Sequence, residues 1–270
     1  MKPAFFLLSI LFCAFSSGVA QSSPLLCGHR GGFEGNWPEN SLSRFDEVAK
    51  AFGDKAFMVE LDVRESADGV LFVLHDETLE RTTNGQGKIA GTPSRALKKL
   101  LQKDPSGKLT SENLLRWDKA LQWLAKHPNA RFMVDTKGEI HEKVIQRIQH
   151  YGLEGQCLLL TFSLPHSELV AKLTSKALIS CLVSSESDWD NIRQLNLPSR
   201  RQVIYVNDKT PLPLLAEMKK TGVAITADVS ETRKNQHAAF PKDYYTRLVA
   251  EKMVDILITD FPVEVKGYFL

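Results

Sequence analysis

Short apolar runs rich in β-branched residues recur along the chain, at residues 25–27, 57–63, 70–74, 131–134, 157–162, 178–183, 203–206, 223–227 and 255–258. Several are nearly continuous rather than alternating, the pattern of strands buried on both faces of a parallel sheet. Between them lie amphipathic stretches at 41–52, 114–125, 140–151, 167–173, 213–221 and 244–253. In the first, Leu42, Phe45, Val48 and Ala49 share one stripe, and Asn40 is expected to cap it. Strand alternating with helix predicts βαβ units with right-handed crossovers, hence an α/β fold. Nine strand candidates exceed the eight of a closed (β/α)8 barrel, so 203–206 is read as an extra extended segment outside it. Residues 77–113 carry Asn84-Gly85 and Pro105-Ser106-Gly107 but little periodicity, and read as an insertion over one end of the barrel. No repeat or linker divides the chain, so residues 21–270 are expected to form a single domain.

The first twenty residues follow a different rule. Lys2 precedes an apolar stretch from Phe5 to Phe15, and small residues follow at Ser16-Ser17-Gly18-Val19-Ala20. This is the three-part pattern of a secretory signal, with cleavage expected after Ala20 and delivery to a periplasm or the medium. The run is shorter than the roughly 20 residues a membrane-crossing helix needs. Cys13 follows Phe12, not a small residue, which argues against a lipoprotein signal. Cys27, Cys157 and Cys181 sit in apolar runs and are expected as buried thiols, although an oxidising compartment leaves one bridge open.

Composition excludes more than it assigns. The chain has 270 residues, 43% hydrophobic and 24% charged, with a formal net charge of +2. That is enough apolar material for one large core, and too little basic excess for nucleic-acid binding.

Chemistry concentrates in four polar clusters, each directly after an apolar strand: Gly28-His29-Arg30-Gly31-Gly32, Glu60-Leu61-Asp62, His75-Asp76 and Asp135-Thr136-Lys137. A parallel barrel places its active site at those strand ends. Alternate strand residues share a face, so Glu60 projects with Asp62, and Asp135 with Lys137. Three converging carboxylates repel one another unless a cation lies among them, and hard oxygen ligands suit Mg²⁺ or Ca²⁺. Two histidines, His29 and His75, can act as acid and base near neutral pH. Arg30 offers a planar fork for phosphate and Lys137 a point charge. The combination suits displacement at phosphorus. His127, His141, His150, His166 and His237 are read as surface residues without partners.

These motifs resemble a known family. Gly28-His29-Arg30-Gly31, Pro38-Glu39-Asn40-Ser41 and Phe45, then Glu60-Leu61-Asp62-Val63, Asp68-Gly69-Val70 and His75-Asp76-Glu77-Thr78-Leu79, are similar to the glycerophosphodiester phosphodiesterases. These belong to the phospholipase C-like (PLC-like) phosphodiesterase barrels. Arg81 to Gly87, Asp135-Thr136-Lys137, Thr161-Phe162-Ser163 and the stretch from Asp255 to Pro262 continue the likeness. The resemblance implies a TIM-type barrel and hydrolysis of small glycerophosphodiesters to sn-glycerol 3-phosphate and an alcohol. It implies a metal on Glu60, Asp62 and Asp135, with His29 and His75 as the acid–base pair. Arg30 and Lys137 would hold phosphate and glycerol oxygens, and Glu39 and Asn40 would shape the loop.

Two departures bear on substrate. Asp135 stands where the family usually has Glu, as in the related sphingomyelinase D-type phospholipases. Asp228 stands near a Trp of the seventh-strand motif. Facing the pocket, it would hydrogen-bond glycerol hydroxyls or attract a headgroup amine; a register shifted by one residue would turn it outward. Two other readings stay open: a phospholipase D-like or lyase activity on lysophospholipids or sphingolipids, and a non-catalytic barrel that binds a phosphorylated ligand.

Overall fold

A computed structural model describes residues 23–270. The expected signal at 1–20, with Cys13, lies outside the described residues. The strands in chain order are β1 (Leu25–Gly28), β2 (Phe57–Glu65), β3 (Leu71–Val73), β4 (Leu101–Lys103), β5 (Leu109–Asn113), β6 (Ala130–Thr136), β7 (Cys157–Thr161), β8 (Leu178–Val183), β9 (Gln202–Val206), β10 (Ala224–Asp228) and β11 (Ile256–Thr259). The helices are α1 (Leu42–Phe52), α2 (Ser94–Leu97), α3 (Trp117–Leu124), α4 (His141–His150), α5 (Leu164–Leu173), α6 (Glu186–Arg193), α7 (Leu212–Lys220), α8 (Lys242–Lys252) and α9 (Pro262–Phe269).

Eight strands, β1, β2 and β6 to β11, pair in parallel in that order, and β11 returns to β1 to close the barrel. The expectation for 203–206 is thereby corrected: β9 is a full stave, with Val203 opposite Ser180 on one side and Ala224 on the other. The ninth strand is β3, which runs antiparallel to β2 with Val73 opposite Val63. β2 is nine residues long and outruns the rim, so its last residues need a partner that the next stave does not supply. The turn is made at Asp68-Gly69, where Gly69 has φ +81. That dipeptide between two apolar runs is a hairpin signal in the sequence itself.

Strand alternation separates two apolar layers. Cys27, Met58, Met133, Leu158, Leu160, Val203, Ile256 and Ile258 fill the barrel interior. Their neighbours Val59, Phe132, Ile204 and Leu257 face outward against the helices. This period decides the site, because two residues beyond Cys27, Met58, Met133, Val203 and Ile258 come His29, Glu60, Asp135, Tyr205 and Asp260.

Segment 77–113 is more structured than its weak periodicity suggests. It holds α2 and the β4–β5 hairpin over a small cluster of Phe72, Leu74, Leu79, Ile89, Leu97 and Leu114. Cys27, Cys157 and Cys181 are free and buried. Among the described residues no helix is long and apolar enough to cross a membrane.

Candidate active site

The chain leaves β1 through a sharp bend. Arg30 adopts the left-handed conformation at φ 51, and Gly31 and Gly32 follow at φ 86 and φ 101. A Cβ on Gly31 would stand 2.5 Å from Arg44 Cγ, and one on Gly32 2.7 Å from Pro262 Cδ, so both positions require glycine. The bend turns the Arg30 backbone N–H onto Glu60, to which it donates at 2.8 Å. The guanidinium of Arg30 lies 3.3 Å from Glu39 and 3.8 Å from Asp62.

Asn40 does not cap α1. Ser41 does, its Oγ accepting from Arg44 N at 3.2 Å. Asn40 is left-handed at φ 56, and its Nδ2 donates to Asp62 Oδ2 at 3.1 Å. The loop thus spends its capping residue on a carboxylate of the site, and the adjacent serine takes the cap.

Glu60, Asp62 and Asp135 each offer an oxygen within 4.8 Å of the other two. The shorter arm of Asp135 still reaches the group. Burial and the charge of Asp62 push the Glu60 carboxyl up to about 8. Burial also opposes charge on Asp62, but Lys137, His75 and Arg30 outweigh it and hold that carboxyl below its ordinary range. Lys137 Nζ lies 2.5 Å from Asp135 and 3.1 Å from Asp62 Oδ1. The latter is an ion contact without hydrogen-bond alignment, so Asp62 Oδ1 accepts no hydrogen bond among the described residues although it is buried. An oxygen-only donor set, crowded, anionic and with one buried oxygen unclaimed, fits a hard divalent ion; Glu60, Asp62 and Asp135 would hold it.

The two histidines arrive by different routes. His29 follows β1 and its Nδ1 donates to Asp260 Oδ1 at 2.7 Å. Burial works against its charge, but Asp260, Glu60 and Asp228 raise its pKa above the ordinary histidine value. His75 does not end a stave; the β2–β3 hairpin carries it back to the rim. Its Nδ1 lies 2.7 Å from Asp76, yet burial dominates, with Arg30 and Lys137, and lowers its pKa. Asp76 in turn takes the fork of Arg81, whose other face grips Glu39 at 2.7 and 2.8 Å. Residue 81 of the supposed insertion therefore braces both Glu39 and the partner of His75.

Asp228 faces the barrel interior with Thr226 and Ala224, so the outward register is not the one adopted. It accepts from Tyr205 Oη at 2.8 Å, from Arg233 Nη1 at 2.8 Å and from Ser230 Oγ. Its charge is already matched by Arg233, which weakens the expected attraction for an amine. A cavity of about 200 Å³ opens beside it, lined by Tyr205, Asp228, Arg233, Lys234, Tyr244 and Lys252 among others.

Sequence reasoning assigned no role to Asp260, Glu231 or Arg233. Asp260 lies two residues after inward Ile258, a signal that was available. Glu231 is fully buried and receives Thr259 Oγ1 at 2.6 Å, the Asp260 N–H at 2.7 Å and the Tyr245 hydroxyl. It fixes the backbone beneath Asp260. Its loop has no periodic pattern from which this could be read. The outlying histidines also need correction: His141 is only 5% exposed, His127 bonds Trp123 O at 2.8 Å and stacks on its ring, and His166 lies 3.3 Å from Glu139.

Comparison with known proteins agrees with this architecture. A curated glycerophosphodiester phosphodiesterase of Bacillus altitudinis is 30% identical over 161 residues, covering 52% of this chain and 63% of that protein. One of Caldanaerobacter subterraneus is 30% identical over 148 residues, covering 52% of this chain and 58% of the relative. These matches span less than two thirds of either relative. The crystal structure of a glycerophosphoryl diester phosphodiesterase from Parabacteroides distasonis superposes with a TM-score of 0.81 at 23% identity, over 92% of this chain and 86% of that one. A phosphodiesterase of Oleispira antarctica, solved with the product sn-glycerol-3-phosphate, gives 0.69 at 19% identity over 91% and 96%. At these identities the superpositions establish the fold. The model of the glycerophosphoryl diester phosphodiesterase family matches residues 29–264, from the first histidine of the site to the last helix, and the chain belongs to that family.

Proposed function

We propose that this protein hydrolyses small glycerophosphodiesters to sn-glycerol 3-phosphate and an alcohol. The observation that carries the reading is three converging carboxylates with two cations, Arg30 and Lys137, and two histidines, each oriented by its own aspartate, at one end of the barrel; their pKa displacements run in opposite directions. Titratable partners pushed apart in this way divide acid from base. His75, whose charge burial disfavours, takes a proton from the attacking water; His29, whose charge Asp260 favours, returns one from Nε2 to the departing alkoxide once Arg233 has moved off that nitrogen. Arg30 and Lys137 bind the phosphoryl oxygens and offset the charge that builds on them. A divalent ion, Mg²⁺ or Ca²⁺, on Glu60, Asp62 and Asp135 would polarise a phosphoryl oxygen and orient the diester. The product named in the Oleispira neighbour supports glycerol 3-phosphate as the retained half. The pattern of residues 1–20 supports action in a periplasm or the medium.

The test is a panel of glycerophosphocholine, glycerophosphoethanolamine, glycerophosphoglycerol, lysophosphatidylcholine and sphingomyelin, with and without chelator. Turnover of the deacylated diesters, lost in chelator and restored by Mg²⁺ or Ca²⁺, is the expected result. Turnover of the lipids alone would replace this reading with the phospholipase D-like one. No turnover of any member would leave a binding barrel.

A further inference from the structure

We propose that Glu139, His141 and His166 form a second metal site at the barrel rim, for a borderline divalent transition ion such as Zn²⁺. One ligand atom from each lies within 4.8 Å of the other two. The loop Lys137-Gly138-Glu139-Ile140 turns through Gly138 at φ +104 and delivers Glu139 and His141 to the start of α4. His166 stands in the first turn of the neighbouring α5, which Ser163 caps. Its Nε2 lies 3.3 Å from Glu139 Oε1, the edge length expected when two ligands sit about 2.0–2.2 Å from a tetrahedral zinc. The two imidazole rings lie with centroids 4.6 Å apart, tilted 41° to one another.

A surface His–Glu pair would account for His166 but not for His141. His141 is 95% removed from solvent, and its Nδ1 has no hydrogen-bond partner among the described residues. A buried ring nitrogen left unpaired is destabilising, and a metal bond would remove that cost. The two helix N-termini disfavour a cation there, and the Glu139 carboxylate offsets them. Imidazole with one carboxylate selects a softer ion than the three carboxylates of the first group. An ion bound here would tie α4, α5 and the loop that carries Lys137 to one point.

Metal-free protein titrated with Zn²⁺ alone, followed by calorimetry, tests the assignment. His166→Ala should bind one zinc fewer than wild type, or bind it at least about 100-fold more weakly, since changes outside the ligand shell alone cost about 10–100-fold. Asp62→Asn should keep that zinc. Co²⁺ should show visible d–d absorption that persists in Asp62→Asn and disappears in His166→Ala. His166 is partly exposed, so its loss should leave the fold intact by circular dichroism; His141→Ala is the second variant. Equal zinc stoichiometry and affinity in wild type and His166→Ala would overturn the site. So would a cobalt signal abolished by Asp62→Asn alone.

Discussion

Arg233 Nη2 stands 3.2 Å from His29 Nε2, while the other arm of the same guanidinium holds Asp228 at 2.8 Å. A guanidinium only donates, so this contact requires an unprotonated Nε2, with the ring proton on Nδ1 toward Asp260. Asp260 draws the ring the other way, toward the doubly protonated form. The state of His29 therefore depends on where Arg233 lies, and its side chain is 57% exposed and able to move. Arg233→Met should raise the pKa of His29 further, because it removes a donor that competes for Nε2. An NMR titration of the ring would measure it. An unchanged value would show that Arg233 does not govern this proton.

The pH dependence of kcat/KM carries a definite sign. With His75 as base and His29 as acid, activity should rise as His75 loses its proton, below the ordinary histidine value. It should fall as His29 loses its own, above that value. Asp260→Asn removes the largest of the three groups that raise His29 and leaves burial less opposed, so the alkaline limb should move to lower pH. Alanine at either histidine should reduce kcat by about 10²–10⁴. A pH profile unaltered by Asp260→Asn would remove His29 from the falling limb.

Metal binding should appear in stability as well as rate. Asp62→Asn relieves repulsion with Glu60 but removes the charge that Lys137, His75 and Arg30 favour, so metal-free protein should lose stability rather than gain it. Wild type at 100 times the dissociation constant should gain about 2.7 kcal/mol from the ion, and the variant almost none. Thermal melts with chelator and with Mg²⁺ or Ca²⁺ separate the two effects. A variant that keeps the full metal-induced rise would show that Asp62 is no ligand.

Asp228 should act through Arg233 rather than by reading headgroup charge. Asp228→Asn should lower kcat/KM on glycerophosphoethanolamine and on the uncharged-headgroup diester glycerophosphoglycerol by similar factors. A selective loss on the ethanolamine diester would show direct contact with the amine.

Glu231→Ala should cost about 3 kcal/mol or more, because it strands Thr259, Tyr245 and the Asp260 N–H, at about 1–3 kcal/mol for each buried group left unpaired. Denaturant titration reads the loss. Glu231→Gln, which keeps an acceptor, should recover part of it. A neutral Glu231→Ala would mean the buried carboxylate braces nothing.

The two-residue period of a strand made much of the site legible in the chain alone. Apolar residues at 58, 133 and 27 already imply that Glu60, Asp62, Asp135 and His29 face the same interior, because alternation is a local property of extended backbone. The parallel α/β class followed from continuous apolar runs for the same reason. Which run is the ninth strand was not local. Residues 203–206 and 70–74 look alike in sequence, and only closure of the sheet leaves a stave's place for one and a hairpin's for the other. The cap moved from Asn40 to Ser41 because Asp62, 22 residues away, claims the asparagine. His141, read as a surface residue, is buried because α4 and α5 pack their first turns together. Asp260 and Glu231 gain their roles only when β11 closes on β1 and brings residue 260 beside residue 29. Local chemistry is written along the chain; which groups meet depends on contacts between residues from 22 to 231 positions apart, beyond the reach of any local periodicity.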